Sequence, residues 1–277
     1  MIYKPLSKAT TLPLDRYGPW AVVTGASSGI GLEFARRLAA AGFNLLLTAR
    51  RVDKLDEVAA ELIERHDIET LVVGADLSTP IGPEMVISAA ADLDVGLLIS
   101  NAGSGRLGKF LSHDLDDLES MVRLNATTHL VLAHHFGSRL KERGRGGIVI
   151  VSAGGALHGL PYMVNDSASK AYALNLGEGL HYELAPAGVD VTVAIPFVVE
   201  TPIIDLFGIE RSTLPMRPQP VEDCVAEALE ALAKGRATRI TGTTMRILSA
   251  ITPRTMSVRM NGRMLARAAR SRETAAA

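Results

Sequence analysis

The chain has 277 residues, of which 47% are hydrophobic and 21% are charged. That length suits a single α/β domain, and the apolar fraction is sufficient for a large core. The net charge of −1 provides no field that would draw the chain to nucleic acid or to an acidic membrane. Cys224 is the single cysteine, which excludes an intrachain disulfide and a cysteine-rich metal site. It favours a reducing compartment, so we expect a cytoplasmic protein.

Residues 1–18 predict an N-terminal extension ahead of the domain. Pro5, Pro13 and Pro19 indicate an extended path, and no apolar run here is long enough for a signal peptide or a membrane span. We therefore expect the domain to begin at residue 19.

Short apolar runs alternate with longer helical patterns between residues 19 and 242. The runs are almost continuous in valine, isoleucine and leucine, as in strands that are buried on both faces. The predicted strands are 20–24, 44–49, 70–75, 96–100, 147–152 and 190–195. The predicted helices are 30–41, 53–66, 81–91, 115–143, 162–185 and 221–234. This order predicts a single α/β domain with a doubly wound parallel sheet of Rossmann type, which binds ligands beyond the carboxyl ends of its strands.

A glycine-rich segment, TGASSGIG at 24–31, follows the first predicted strand and opens a helix. Its spacing is G-x-x-x-G-x-G, and the glycines allow a tight turn and close approach of the backbone to a pyrophosphate. The helix N-terminus adds unpaired N–H groups, so the segment predicts a dinucleotide site. The residues expected to line it are Gly25, Ser27, Ser28, Gly29, Ile30 and Gly31.

This segment resembles the nucleotide-binding signature of the short-chain dehydrogenase/reductase family, and further motifs match in register over about 18–240. ADL at 75–77 resembles the adenine-contacting motif, and NAG at 101–103 resembles the motif after the fourth strand, although Ser100 replaces its usual preceding asparagine. The resemblance implies that Lys170 holds the nicotinamide ribose. It also implies that Asn125 organises a proton path. The other cofactor contacts that it implies are Asp76, Leu77, Asn101, Ala102, Gly103, Pro196 and Thr201.

The second predicted strand ends in TARR. An acidic residue there would accept hydrogen bonds from the ribose 2′-hydroxyl of NAD and would repel a 2′-phosphate. Arg50 and Arg51 instead supply cations that suit that phosphate, so NADP(H) is the expected cofactor.

The positions that would contact the substrate and the nicotinamide depart from the family pattern. The resemblance implies a tyrosine four residues before Lys170 and a serine thirteen residues before that tyrosine, both bound to the substrate oxygen. This chain has Asp166 and Ala153 at those positions, and Phe197 replaces the glycine that usually faces the nicotinamide. Asp166, Lys170 and Asn125 are therefore the candidate catalytic residues.

Asp166 is not equivalent to a tyrosine. Its carboxyl ends about 3 Å short of a phenol oxygen. Its reference pKa is about 3.9, against about 10 for tyrosine. Beside Lys170 at i+4 it is expected to be an ionised base, whereas burial against Phe197 would raise its pKa and make it a proton donor.

Two neighbouring hydroxyls are considered as substitutes. Ser152 is expected to point to the opposite face from Ala153, because successive side chains of a strand alternate. Tyr162 is expected one helical turn before Asp166, with its hydroxyl directed away from Lys170. Neither is expected to replace the missing groups.

Three functions remain open. The first is an NADP(H)-binding enzyme repurposed for acid/base, cyclisation or iminium-reducing chemistry on a hydrophobic organic substrate. The second is an NADPH-dependent carbonyl reductase or alcohol dehydrogenase with a compensated site. The third is a non-catalytic cofactor-binding homologue.

The expected substrate pocket is covered by an apolar insert at about 200–220, with Ile204 and Leu206 among its residues. The residues expected to line the pocket are Ala153, His158, Tyr162, Phe197, Ile203 and Phe207. The histidines show no metal-ligand grouping, so no metal is expected. By resemblance, copies of the chain pair through helices 115–143 and 162–185 into a homodimer or homotetramer.

Residues 243–277 form an arginine-rich C-terminal helix or tail, in which arginines are interleaved with apolar residues. One interpretation is an amphipathic helix that touches a membrane or an acidic partner. The other is a solvated helix that packs on its own domain.

Overall fold

The structure, a computed structural model, describes residues 12–207, 211 and 216–276. Within these residues a seven-stranded, wholly parallel sheet has the order β3-β2-β1-β4-β5-β6-β7. The strands are β1 Trp20–Thr24, β2 Asn44–Ala49, β3 Thr70–Gly74, β4 Val95–Ser100, β5 Gly146–Val151, β6 Val189–Ile195 and β7 Thr238–Ile240. The order reverses between β1 and β4, which is where a doubly wound sheet opens a ligand crevice. The predicted Rossmann-type fold is confirmed.

Helices cover both faces of the sheet. They are α1 Leu14–Tyr17, α2 Gly29–Ala40, α3 Val52–His66, α4 Ile81–Ala89, α5 Leu115–Val122, α6 Thr128–Arg143, α7 Val164–Leu184, α8 Ile203–Leu206, α9 Val221–Ala233, α10 Thr243–Ile251 and α11 Arg254–Ala276. One apolar core packs β1 and β2 against α2, α3 and α9, with Phe34 at its centre. The other packs the opposite face against α4, α6 and α7 around Phe136. The strands are apolar on both sides because both faces are covered.

The N-terminal segment is not extended throughout. Residues 14–17 form one helical turn, and Tyr17 is buried with its hydroxyl donating to Asp190 Oδ2 at 2.6 Å. Arg16 forms an ion pair with the same carboxylate. The expected extended path was therefore wrong for this turn, because the two side chains anchor it to the start of β6. Residues 1–11 lie outside the described residues.

Two predicted helices differ from the observed ones. The stretch 115–143 divides into α5 and α6, separated by a wider π-helical turn at Arg123–Thr127. The helix expected from residue 162 begins at Val164, because Tyr162 has a φ of 66° and lies in the preceding turn. Tyr162 is thus not one helical turn before Asp166, as expected, but outside the helix.

The C-terminal helix α11 packs one of its faces on the domain. Leu265 and Ala269 are buried in a cluster with Leu107, Met163 and Phe207. These contacts match the interpretation in which the terminal helix packs on its own domain. Among the described helices, none has both the length and the hydropathy needed to cross a bilayer.

Candidate functional site

The glycine-rich segment forms a narrow cradle between β1 and α2. Thr24 Oγ1 accepts hydrogen bonds from the backbone N–H groups of Asn101 and Ala102 at 2.8 and 2.9 Å. Asn101 Nδ2 donates to the carbonyl of Thr24 at 2.9 Å, which ties the NAG loop to the glycine loop. A methyl group on Gly31 would lie 2.6 Å from that amide nitrogen and would overlap the carbonyl of Gly25. Only glycine permits this close packing.

The same cradle is open to an anion. Ser28 is the N-cap of α2, and its side chain makes no capping hydrogen bond, so it leaves N–H groups of the first turn available. Gly29 has a φ of 56°, a left-handed conformation that favours glycine. A methyl group on it would lie 3.2 Å from Thr201 Cγ2, so Thr201 packs closely over the loop. These features fit a pyrophosphate.

Two arginines lie at the end of β2 beside this cradle. Arg51 Nη2 donates to the hydroxyls of Ser27 and Ser28 at 3.1 and 3.3 Å. Arg50 lies near enough to Asp76 to favour its ionised form. Asp76 Oδ1 accepts from the N–H and the hydroxyl of Ser78, which fixes the loop after β3. Cations and serine hydroxyls are therefore grouped where a ribose phosphate would lie.

Lys170 and Asn125 meet beneath the NAG loop. Asn125 is fully buried; its Oδ1 accepts from the N–H of Ser104 at 2.9 Å, and its Nδ2 donates to the Ser104 carbonyl at 2.8 Å. A methyl group on Gly103 would lie 3.1 Å from Asn125 Oδ1 and would overlap Lys170 Nζ, so the ammonium lies against this loop. Lys170 Nζ also donates to the carbonyl of Val151 at 3.5 Å.

Asp166 lies one helical turn before Lys170, and its carboxyl is close to Gly105, two residues after the NAG motif. A methyl group on Gly105 would lie 3.2 Å from Asp166 Oδ1 and 2.6 Å from the ring of Phe207. In the described part of the chain, no hydrogen bond or ion pair within 4 Å joins this carboxyl to another side chain. Asp166 thus presents a buried carboxyl toward the cleft.

Burial moves both groups toward their neutral forms. Desolvation raises the pKa of Asp166 to about 6, although the attraction of Lys170 opposes the shift. Desolvation also lowers the pKa of Lys170, against the opposing effect of Asp166. Of the two expectations for Asp166, the raised pKa of a buried carboxyl agrees with this geometry, and a pKa of about 6 still leaves the carboxyl mostly ionised at neutral pH. The charge of Lys170 at i+4 therefore affects the pKa of Asp166 less than the loss of water does.

The two hydroxyls considered as substitutes occupy other positions. Ser152 Oγ is buried and donates to the backbone carbonyl of Lys170 at 2.8 Å, so it braces α7. The Tyr162 backbone carbonyl accepts from the N–H of Gly108, and its side chain packs with the cluster around Leu265. Neither hydroxyl lies beside the Lys170 ammonium.

One continuous cavity of about 680 Å³ joins the cradle to the apolar end. It brings together the predicted cofactor and pocket residues with two exceptions, Gly31 and Tyr162. Asn125 does not line it but supports the loop that does. The predicted residues that line it are Gly25, Ser27, Ser28, Gly29, Ile30, Arg50, Arg51, Asp76, Leu77, Asn101, Ala102, Gly103, Ala153, His158, Asp166, Lys170, Pro196, Phe197, Thr201, Ile203 and Phe207.

Several lining residues were missed by the sequence reasoning. Ser104 follows the NAG motif directly, so the motif itself pointed to it. Asn261, Met264 and Leu265 belong to α11, and Asn261 Nδ2 lies 3.4 Å from His158 Nε2. Asn261 and His158 are 103 positions apart along the chain, and no local pattern signals such a contact. Within the described residues, no three His, Cys, Asp or Glu side chains form a group that could hold a metal ion.

The fold and the cleft define a doubly wound α/β protein with a glycine-rich phosphate cradle and a lysine beside it. Residues 19–208 match the sequence model of the short chain dehydrogenase family. The chain therefore belongs to the short-chain dehydrogenase family.

Several relatives are similar over most of the chain. A 7β-hydroxysteroid dehydrogenase of Collinsella aerofaciens is 32% identical over 229 residues, which is 79% of this chain and 85% of that protein. The human protein named inactive hydroxysteroid dehydrogenase-like protein 1 is 35% identical over 193 residues, covering 68% of this chain and 58% of that protein.

Solved structures show the same similarity. A structure of 7β-hydroxysteroid dehydrogenase, from work on its stereoselectivity, has a TM-score of 0.82 at 30% identity and covers 90% of this chain and 98% of its own. A short-chain dehydrogenase from Sphingobium yanoikuyae in complex with NADPH has a TM-score of 0.77 at 31% identity, covering 84% and 92%.

Proposed function

We propose that this protein is an NADP(H)-dependent oxidoreductase that acts on a bulky apolar substrate through an aspartate–lysine pair. The cofactor assignment rests on the fit of the cradle to a pyrophosphate and of Arg50 and Arg51 to a 2′-phosphate. The similar dehydrogenase that holds NADPH supports it. When bound, the cofactor would supply or accept a hydride at the end of the cavity that Lys170 and Asp166 face.

One observation carries the choice of Asp166. Its carboxyl is buried, has a pKa raised to about 6, and lines the same cavity as Lys170 and the glycine cradle. A group whose pKa lies near the working pH can both hold and release a proton, which is what acid–base catalysis needs. Lys170, held against the NAG loop, would orient the cofactor ribose by resemblance to the family.

The position and length of Asp166 favour an iminium substrate. Hydride addition to an iminium carbon gives a neutral amine, so no proton has to reach an oxygen atom. The Asp166 carboxylate, ionised above about pH 6, balances the positive charge of the iminium group. Reduction of a ketone would instead require the protonated form, in a chain with Ala153 in place of the family's serine.

The substrate end of the cavity indicates an apolar molecule. Phe197 packs against Gly154, where a methyl group would lie 2.6 Å from the ring, and Phe207 packs against Gly105. Met264 and Leu265 of α11 close the far side. The relatives named 7β-hydroxysteroid dehydrogenase suggest a fused-ring compound of that size. The insert at 200–220 contributes Ile203 and Phe207, while residues 208–210 and 212–215 lie outside the described residues.

The second candidate is a carbonyl reductase whose site is compensated by another hydroxyl. The positions of Ser152 and Tyr162 argue against those two groups. Ser104, which lines the cavity between the loop glycines that contact Lys170 and Asp166, is the hydroxyl that favours this candidate. Ser104→Ala should leave activity within about twofold if Asp166 carries the chemistry, and should remove about 10²–10³ of ketone turnover if Ser104 acts as the oxyanion donor.

The deciding experiment uses Asp166→Asn, with Asp56→Asn on the exposed side of α3 as the control. NADPH consumption is measured from pH 5 to pH 8.5 with a cyclic iminium compound and with a 7-oxosteroid. We expect iminium reduction to rise with pH through about 6, and to fall about 10²–10⁴-fold in Asp166→Asn while NADPH affinity is retained.

Two outcomes contradict the proposal. Unchanged turnover in Asp166→Asn would remove Asp166 from the mechanism. Tight NADPH binding without turnover of either compound, together with ketone activity gained in Asp166→Tyr with Ala153→Ser, would favour the non-catalytic homologue.

The wider organisation follows from the same site. We keep the boundaries at residues 18 and 242, but place α11 in the functional unit because it lines the cavity. Pairing of two copies through α5–α6 and α7 is supported by the exposed Leu115, Tyr172 and Tyr182 on those helices. Sedimentation of the purified protein tests this assembly.

A further inference from the structure

Helix α10 exposes its apolar side. It contains Met245, Ile247, Leu248 and Ile251, and none of its residues is buried. Ile247, Leu248 and Ile251 are 56%, 39% and 70% exposed. The inner side is polar instead, with Arg246 Nη1 donating to Glu227 Oε2 at 3.1 Å. A surface helix of a globular protein normally has the opposite orientation, with its apolar face toward the core.

Helix α11 continues this surface with a second kind of residue. Its inner face packs Leu265 and Ala269 on the domain. Its exposed positions recur at the spacing of one helical face, opposite that inner side. They are Met256, Arg259, Met260, Arg263, Arg267 and Arg270. Met256 and Met260 are 52% and 55% exposed, and Met256 follows Ile251 across the turn at Pro253. Exposed methionines and arginines therefore share the outward face of α11, directly after the exposed apolar residues of α10.

The charge of this surface is strongly one-sided, although the whole chain is nearly neutral. Residues 243–276 contain seven arginines and a single glutamate, Glu273. Within the side chains that the structure describes, Arg259 and Arg263 take part in no ion pair. Two copies of this surface facing each other would bring like charges together. An anionic partner is the complementary one.

We propose that the outward faces of α10 and α11 form a docking surface for a lipid bilayer that carries anionic headgroups. Ile247, Ile251 and Met256 would enter the boundary between headgroups and acyl chains, while Arg259 and Arg263 reach the lipid phosphates and carboxylates. Burial of apolar side chains and attraction to anionic lipids are the two contributions that hold interfacial helices on membranes. The inner face of α11 lines the cavity, so docking places the apolar end of the site one helix diameter from the bilayer.

Vesicle co-sedimentation of the full chain tests the surface. The lipids are phosphatidylcholine alone and phosphatidylcholine mixed with phosphatidylserine, at low and high salt. We expect binding to the mixed vesicles at least about tenfold tighter than to phosphatidylcholine, and weakened by salt because exposed charges are screened.

Two variants separate the two contributions. Ile251→Glu with Met256→Glu removes the apolar anchors, and Arg259→Glu with Arg263→Glu reverses the charge. Each is expected to weaken binding to mixed vesicles at least about tenfold. Ile63→Glu is the matched control, since Ile63 is 48% exposed on α3, outside the proposed surface, and its change should leave vesicle binding intact. Retained NADPH binding shows that each variant is folded.

Three results would overturn the proposal. The first is a parent protein that stays in the supernatant with mixed vesicles. The second is equal loss of binding in Ile63→Glu. The third is a change of molecular mass in solution, without lipid, in the Ile251→Glu/Met256→Glu variant, which would identify the surface as a contact between copies of the chain.

Discussion

At the scale of single residues, burial has the largest effect on the pKa values of Asp166 and Lys170. The charge of each group stabilises the charged form of the other, yet the pKa of Asp166 is raised and that of Lys170 is lowered. Desolvation therefore exceeds the pairwise attraction for both. Their i+4 spacing was visible in the sequence, but the depth at which α7 lies under the NAG loop was not. That depth places both side chains in a buried acid–base pair with shifted pKa values.

Arg51 is expected to select NADPH over NADH. Its guanidinium already bonds Ser27 and Ser28 at the cradle, so a 2′-phosphate would gain charge-assisted hydrogen bonds there. Arg51→Ala should raise the Kd of NADPH about 10-fold to 100-fold, from about 1.5–3 kcal/mol for bonds to a charged group, and change that of NADH little.

Fluorescence titration with both cofactors measures this difference. Arg65→Ala serves as the control because Arg65 is exposed on α3 and pairs with Glu61. Equal losses of NADPH and NADH affinity in Arg51→Ala would mean that Arg51 shapes the loop rather than reading the phosphate.

At the scale of elements, the interrupted helix α5–α6 supports the active-site loop. The π-helical turn carries Asn125, whose side chain satisfies both backbone groups of Ser104 and also donates to Ser169 Oγ at 3.1 Å. The position of Asn125 was predicted by resemblance to the family. Its contacts were not, because the π-helical turn changes which side of the helix faces the loop.

Replacing Asn125 should cost measurable stability. Asn125→Ala removes three hydrogen bonds, one buried and two partly buried, and leaves Ser104 backbone groups without these partners, so we expect the free energy of unfolding to fall by about 2–4 kcal/mol in urea. Asn175→Ala is the control, since Asn175 bonds only the carbonyl of Ala171 at an exposed site, and it should change by less than about 0.5 kcal/mol. A loss no larger than that of the control would show that the loop holds itself.

The inner face of α11 should contribute to substrate binding without affecting the cofactor. Leu265 is buried where the helix closes the cavity. Leu265→Ala removes apolar contact worth about 1.5–3 kcal/mol, so binding of a 7-oxosteroid should weaken about 10-fold to 100-fold in equilibrium dialysis. NADPH affinity should be unchanged. Met260→Ala, on the outer face of the same helix, should alter neither.

For the whole molecule, two buried groups give opposite pH dependences of stability. Asp166 ionises near 3.8 in the unfolded chain and near 6 in the folded one, so the free energy of unfolding falls as the pH rises between those values. His129 is fully buried, which lowers its pKa from 6.5 to about 3. The unfolded chain takes up that proton first, so stability falls as the pH drops through this window.

Asp166→Asn should separate the two effects. The variant keeps the His129 dependence and loses that of Asp166. Its free energy of unfolding relative to the parent should therefore increase by up to about 3 kcal/mol between pH 4 and pH 7, at about 1.36 kcal/mol per pKa unit. Urea unfolding of both proteins across that range measures the difference. A difference that does not vary with pH would mean that Asp166 keeps an ordinary pKa in the folded protein.

The sequence by itself determined the parts of the protein that depend on neighbouring residues. The apolar runs gave six of the strands, and the glycine spacing placed the phosphate cradle between β1 and α2, because both signals lie within a few positions along the chain. It did not indicate β7, which is three residues long and contains Arg239. The family motifs located Asn101, which directly follows β4, and the positions of Asp166 and Lys170 in the first two turns of α7.

Only the tertiary structure decided what those residues contact. It directed Ser152 to the Lys170 carbonyl, left Tyr162 outside α7, and brought α11 across the cavity so that Asn261 meets His158. These are contacts between distant segments, set by how helices pack on the sheet. Burial, which fixes the charge of Asp166, is likewise a property of the folded chain as a whole, so no local pattern specifies it.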